Sequence, residues 1–398
     1  MGVELGDRYP MKPPSRSVAA MRRSGIREVL DLAVTRPGVL RLEIGEPDFP
    51  TPAHIVEAAA RAAADGYTKY TVNRGLPSVR EAICAKLAAR NGISADVEQI
   101  VVTTGGGTAL IETLLALVEP GEAILISDPA WPNYEMMAAA LNAEVLRYPL
   151  ERSTNFEPDL DALDALAGDP RAKVLLINSP ANPTGAVWQP AMIERVLEIA
   201  RKHDLYLLSD EVYEEIVFEG KHVSPATLED EGRVITVFSA SKTYAMTGWR
   251  LGYLVAPRPL ADLIAKVQEP VVSCATAIAQ RAFEAALLGP QDCVAEMRDA
   301  YRLRRDATVQ ALRETNLFVT EPKGAFYVFA DVSRATNDTY GLARWLVLEH
   351  GVAVAPGETF GSRAAGLVRL SLASAAETLQ RGVARLAEGV DAWPATGR

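Results

Sequence analysis

The chain has 398 residues, enough for a large core and more than one domain. Its 48% hydrophobic and 23% charged residues are ordinary for a soluble globular protein, and a net charge of −10 disfavours nonspecific binding to nucleic acid or an anionic membrane. Three widely spaced cysteines, Cys84, Cys274 and Cys293, suggest neither a disulfide framework nor a zinc site, so a reduced, cytoplasmic setting is expected. The four histidines lack ligand spacing, which argues against a metal centre. The opening MGVELGDRYP has no apolar segment of the secretory kind, and no apolar run reaches transmembrane length.

In chain order, residues 1 to about 12 read as a tail. Residues 15–33 space their apolar side chains for one or two amphipathic helices. LEIGEPDFPTP, residues 42–52, is rich in turn formers and includes Gly45, and HIVEAAARAAADG predicts a helix ending near Gly66. From Ile100 the pattern alternates between strands (IVVT, AILIS, EVLRY, KVLLIN, LYLLSD, VITVF, GYLVA) and helices (TALIETLLALVE, YEMMAAALN, AMIERVLEIARKH). Near-continuous apolar strands separated by helices predict an α/β fold with a mostly parallel seven-stranded sheet covered on both faces. Ligands of such sheets gather at the carboxyl ends of the strands.

Beyond Pro290 the composition shifts to a charged helix, residues 293–315. KGAFYVFADV and GVAVAPG then read as short strands flanking the helix TYGLARWLVLEHG, with GLVRLSLA and a final helix closing the chain. This predicts a smaller α/β domain built from both chain ends. The expected division is residues 1–45 with the small domain, 46–290 as the large domain and 291–398 as the small C-terminal domain.

The polar signals fall where those strands end. TTGGG, residues 103–107, opens a helix, and glycines there let an anion approach backbone N–H groups at the positive helix end. It completes neither G-x-G-x-x-G nor a P-loop. Trp131 lies between Pro129 and Pro132 in a strand-end loop. NSPANPTG contains Asn182, and LLSDEVYEE contains Asp210 and Tyr213. SASKTYAMTGWRLGY, residues 239–253, places Lys242 in the loop leaving a buried strand, where burial favours the uncharged amine and so a nucleophile.

Taken together, S-x-x-K at Ser239 and Lys242, G-W-R-x-G at residues 248–252 and NSPANPTG at residues 178–185, which is similar to the signature N-x-x-N-P-T-G, closely resemble the fold-type-I, pyridoxal-phosphate-dependent aminotransferases of class I/II. The resemblance runs from about Leu42 to the last helix. It implies a Schiff-base lysine at Lys242, a ring-nitrogen partner at Asp210, and ring-oxygen partners at Tyr213 and Asn182. It implies phosphate binding by Gly106, Gly107, Ser239 and Arg250, ring stacking by Trp131, and a substrate-carboxylate clamp at Arg369, with Gly45 beside the substrate. Tyr70, from the Y-x-x-x-x-G-x-x-x-L-R element, is expected to reach the phosphate of a partner subunit, which implies a homodimer with shared active sites.

Such an enzyme exchanges an amino group between an L-amino acid and a 2-oxo acid by a ping-pong route, with pyridoxal 5′-phosphate as electron sink and Lys242 as proton carrier. A lyase, an oxidase or a ring-forming biosynthetic enzyme would carry the same anchors. A sensor module of a transcription regulator would need a basic DNA-binding domain ahead of the core, where only about forty residues stand. Relatives that use aspartate carry a lysine directly after two glycines; here that place falls on Gly107, a departure that weakens the expectation of aspartate and leaves space for something larger or apolar. Arg74, Arg22 and Arg23 are then the candidate cations for a distal carboxylate, and Ile26 a candidate for an apolar pocket.

Overall fold

The computed structural model describes residues 12–394, so the N-terminal tail read from the sequence lies almost wholly outside the described residues. The strands in chain order are β1 (Leu40–Arg41), β2 (Ile100–Thr103), β3 (Ala123–Asp128), β4 (Glu144–Glu151), β5 (Glu157–Pro158), β6 (Ala172–Asn178), β7 (Tyr206–Asp210), β8 (Val234–Ser239), β9 (Gly252–Val255), β10 (Tyr327–Asp331), β11 (Val352–Ala353), β12 (Ala355–Pro356) and β13 (Leu367–Ser371). The large sheet has the order β2-β9-β8-β7-β6-β3-β4-β5. All seven expected strands are present. The sheet has eight, because two-residue β5 pairs antiparallel with the end of β4, and a segment that short carries no periodicity to read.

Most neighbours are parallel, but β9 runs antiparallel to both β8 and β2. As a result β2 runs the same way as β8, and Thr103 and Ser239 both lie opposite Gly252. The strands are buried on both faces, and alternate side chains feed separate cores. Val101, Ile124, Ile126, Val174, Leu176, Leu208 and Val237 pack on one side with the helices Gly106–Leu117 and Arg258–Val272. Leu125, Leu175, Ile177 and Leu207 pack on the other with Leu160–Ala167 and Pro190–Lys202. Period-two alternation between two apolar cores is why these strands read as unbroken apolar runs.

The smaller unit is assembled from both ends of the chain. Antiparallel β10-β13-β12 and the parallel pair β1-β11 share one core. Val29 and Ala33 of the helix Gly25–Val34 lie in the same core as Tyr301 and Leu312 of Asp292–Glu314 and Leu379, Val383 and Leu386 of the final helix, Ala376–Ala392. GVAVAPG, expected as one strand, is split between β11 and β12, which belong to different sheets.

One core residue has no apolar rationale. Glu112, on the helix Gly106–Leu117, is fully buried, and neither carboxylate oxygen meets a hydrogen-bond partner among the described residues. Burial pushes its acid up to about 8, because the charged form cannot be solvated there. The folded state therefore holds a proton that the unfolded chain releases near pH 4.5, so stability falls as pH rises from about 4.5 to about 8. Glu112→Gln should flatten that decline, gaining on the order of 1–3 kcal/mol at pH 8 relative to pH 5. Urea unfolding of both proteins at the two pH values checks this, and parallel pH profiles would contradict it.

Candidate active site

The polar ends of β2, β6, β7 and β8 open into one cavity of about 690 Å³. It is lined by Gly45, Gly106, Gly107, Trp131, Asn182, Asp210, Tyr213, Ser239, Lys242, Arg250 and Arg369. Eleven of the twelve residues singled out from the sequence thus converge. The twelfth, Tyr70, is 88% exposed and lies outside the cavity.

Lys242 owes its place to a capped turn. Ser239 ends β8, its hydroxyl accepts from Ser241 N at 3.2 Å, and the short helix Ala240–Thr243 follows. The Nζ donates to Gly45 O at 2.6 Å, joining the middle of the chain to its N-terminal segment. A side chain at residue 45 would collide with the Tyr327 hydroxyl, so only glycine brings that carbonyl to the amine. Burial lowers the ammonium of Lys242 to about 8, with Arg369 and Arg250 adding to the effect and Glu46 opposing it.

Asp210 ends β7. Its Oδ2 accepts from Tyr134 OH at 2.6 Å and its Oδ1 from Val212 N at 3.3 Å. Burial nevertheless pushes the acid up to about 6, so the carboxylate is poorly solvated and a cation set against it would be strongly favoured. Asn178, at the end of β6, donates to Asp210 O and accepts from Asn182 N, at 2.8 and 2.7 Å. Through those two bonds the loop after β6 is locked to the end of β7. Tyr213 and Tyr327 share a hydroxyl–hydroxyl hydrogen bond of 2.8 Å, and burial raises both phenols.

An anion cradle closes one side. Gly105 has φ +96°, and a Cβ there would lie 2.6 Å from Arg250 Nη2. A Cβ on Gly252 would lie 2.6 Å from Gly106 N, so glycine at 252 lets these backbones meet, while the positive φ is what calls for glycine at 105. The helix Gly106–Leu117 begins here, and its first amides have no intrahelical acceptor. Arg250 itself adopts φ +53°, uncommon for a non-glycine residue, with Nη1 held on Thr247 O at 2.8 Å.

At the other side stands Arg369, on β13, almost fully buried. Its Nη1 donates to Asn182 Oδ1 at 2.8 Å and its Nη2 to Glu43 O at 2.6 Å. The guanidinium lies 4.2 Å from the Tyr327 ring centre and 4.9 Å from that of Phe360. Nε is buried without a hydrogen-bond partner among the described residues, and burial lowers the guanidinium from its usual range. A fixed, partly unsatisfied guanidinium in an apolar sleeve suits a planar carboxylate.

Sequence reading missed several contributors. Tyr134 and Tyr327 sit in stretches where an aromatic reads as core, and Asn178 stands in a motif whose resemblance singles out Asn182 alone. Arg27 lines the cavity beside Ile26, which does take the lining place expected of it. Arg74, by contrast, pairs with Asp262 and donates to Glu98 O at 2.6 Å, Arg23 pairs with Asp31, and neither they nor Arg22 line the cavity. Arg80, from the same element as Tyr70, donates to Val97 O and serves the packing of its helix.

Comparisons with known proteins give the family. Residues 37–386 match the aminotransferase class I and II family. The aspartate/prephenate aminotransferase of Thermus thermophilus is 40% identical over 384 residues, covering 95% of this chain and 98% of that protein. A probable aspartate aminotransferase of Methanocaldococcus jannaschii is 37% identical, covering 92% and 97%. Among solved structures, Thermus thermophilus aspartate aminotransferase with maleate superposes with a TM-score of 0.91 at 39% identity, covering 95% of this chain and all of that one. An aromatic aminotransferase from Pyrococcus horikoshii gives 0.86 at 37% identity, covering 90% and 98%. Of the reactions that would share these anchors, transamination is the one these relatives support. The chain belongs to the aminotransferase class I and II family and is an enzyme that moves amino groups between amino acids and 2-oxo acids.

Proposed function

We propose that the cavity holds pyridoxal 5′-phosphate and works on acidic amino donors. The observation carrying the cofactor is the donor set: a side-chain-free cradle with Arg250 and Ser239 for a phosphate, a desolvated carboxylate at Asp210 for a ring cation, and an amine of lowered pKa at Lys242 for an aldehyde. When bound, that group supplies a cationic ring that withdraws electrons from the carbon bearing the substrate's amine. The chain's own residues do the rest. Arg369 binds the substrate α-carboxylate and turns the Cα–H bond toward Lys242. Lys242 Nζ, partly uncharged near neutrality, takes the proton from Cα. Asn182 bridges the two halves by orienting Arg369 while facing the same cavity.

The wild-type protein mixed with pyridoxal phosphate should turn yellow, and glutamate or aspartate in single turnover should bleach the colour with release of one 2-oxo acid per site. Lys242→Ala should lower that rate at least a thousandfold, as expected for a group that carries the proton. A protein that stays colourless, or a variant as fast as wild type, overturns the reading.

The acidic donor rests on Arg27. The cavity is lined by Arg27, Lys242, Arg250 and Arg369 as its cations, and Arg27 makes no ion pair among the described residues. A Cβ at Gly107 would meet nothing within 4 Å, which leaves room for the substrate side chain. Several relatives are named as aspartate aminotransferases. Arg27→Met should lower kcat/KM for aspartate and glutamate about tenfold, the scale of one lost charged hydrogen bond, and spare phenylalanine. Gly107→Lys should raise the aspartate-to-phenylalanine ratio. Unchanged ratios in both variants would refute the assignment.

We also propose a homodimer in which exposed Tyr70 completes the partner's phosphate site, and a cytoplasmic location consistent with three unbridged cysteines. Mixing inactive Tyr70→Phe and Lys242→Ala proteins should restore up to a quarter of wild-type activity through hybrid dimers. No recovery, or a fully active monomer in sedimentation, counts against sharing; cell fractionation checks the location.

A further inference from the structure

Arg369 has a support that no part of the reaction scheme uses. Strand β3 ends at Asp128, three residues before Trp131, and its carboxylate is 5% exposed. Three donors of one small-domain loop converge on it. Oδ2 accepts from Ser362 N at 3.2 Å and from Ser362 Oγ at 2.7 Å, and Oδ1 accepts from Arg363 N at 3.1 Å. Close by, Ala130 N donates to Phe360 O at 2.8 Å. Gly361, between these contacts, has φ +133°, and a Cβ there would collide with Asp128 Oδ1. The approach of carboxylate and loop is therefore built into the backbone.

The same loop carries the fully buried Phe360, whose ring centre is 4.9 Å from the Arg369 guanidinium carbon. Its ends are pinned as well. A Cβ on Gly357 would strike Ala364 O and Leu367 O, the latter at the start of the strand that bears Arg369. Thr359 Oγ1 accepts from Gly25 N at 3.0 Å, at the head of the helix that carries Arg27. One carboxylate on the large domain thus fixes a loop that underlies the guanidinium on the small one. Three residues beyond that carboxylate, Trp131 lines the cavity.

We propose that Asp128 is a positioning residue that sets where Arg369 stands relative to Trp131, and through that distance governs recognition of the substrate α-carboxylate. A neutral side chain could not accept from three donors with charge-assisted strength. Losing the clamp frees the Phe360 ring to shift, and a displacement of about 1 Å in a substrate-positioning group costs up to about a hundredfold in kcat/KM, here through binding of the carboxylate. The inference rests on Arg369 binding that carboxylate, so the test includes Arg369 itself.

The experiment uses the cofactor-loaded enzyme in single-turnover half-reactions with two donors: glutamate, and a primary amine of similar size lacking an α-carboxylate. Asp128→Ala should raise the KM for glutamate at least tenfold with kcat within threefold, and leave the rate with the amine unchanged. Asp128→Asn, which keeps an acceptor, should fall between, and Ser362→Ala, losing one donor, should shift KM two- to threefold. Calorimetric affinity for succinate, which does not react, should drop in parallel, a readout independent of turnover. Equal losses on both donors would mark Asp128 as a structural residue only and overturn the proposal. If Arg369→Lys loses the preference for glutamate and no Asp128 or Ser362 variant does, the positioning role fails while the carboxylate clamp survives. If Arg369→Lys keeps the preference, both fall.

Discussion

Three charged side chains share one cavity out of bulk water, and the rest of the structure is arranged to make that tolerable. Asp210, Lys242 and Arg369 each show the cost of desolvation, the acid pushed up to about 6, the amine down to about 8 and the guanidinium lowered. Among the described residues none forms a direct ion pair that would neutralise it; each is held by neutral groups instead, Tyr134 for Asp210, Gly45 O for Lys242, Asn182 and Glu43 O for Arg369. Charges restrained in this way remain available for ligands. A substrate carboxylate and a ring cation would relieve the same penalties that the ligand-free protein carries.

The sheet determines where this can occur. Because β9 is antiparallel while β2 and β8 run the same way, the glycine-rich turn after β2 and the lysine-bearing turn after β8 arrive at one edge with Gly252 between them. The absence of a side chain at Gly252 lets Gly106 N approach the Phe238–Ser239 backbone. The anion cradle and the nucleophile are thereby set in fixed relation by main chain, before any side chain is considered. The smaller domain contributes the guanidinium, and the carboxylate of Asp128 ties its supporting loop to the end of β3.

Much of this was readable in advance for a physical reason. Strands buried on both faces must be apolar throughout, so seven of the eight in the large sheet stood out, and residues at their polar ends marked the cavity. What escaped notice did so because its signal was not local. β5 is two residues and includes a proline; the division of GVAVAPG between two sheets depends on partners 300 residues away at β1 and close by at β13. Tyr134 and Tyr327 look like ordinary buried aromatics until their hydroxyls are seen to meet Asp210 and Tyr213. Arg74 was a candidate cation for a distal carboxylate, but Asp262 and Glu98 already occupy that guanidinium. Arg27 could not be distinguished from its arginine neighbours without knowing which side of its helix faces inward.

The hydrogen bond from Lys242 to Gly45, together with those from Arg369 to Asn182 and Glu43, bears on how the protein comes into being. The groups they join are separated by roughly two hundred and more than three hundred positions along the polypeptide. The last strand of the large sheet in chain order is β9, whereas the guanidinium of Arg369 lies more than a hundred residues further on, in β13. The cavity is therefore complete only once β13 has joined the segments around Gly45 and Asn182.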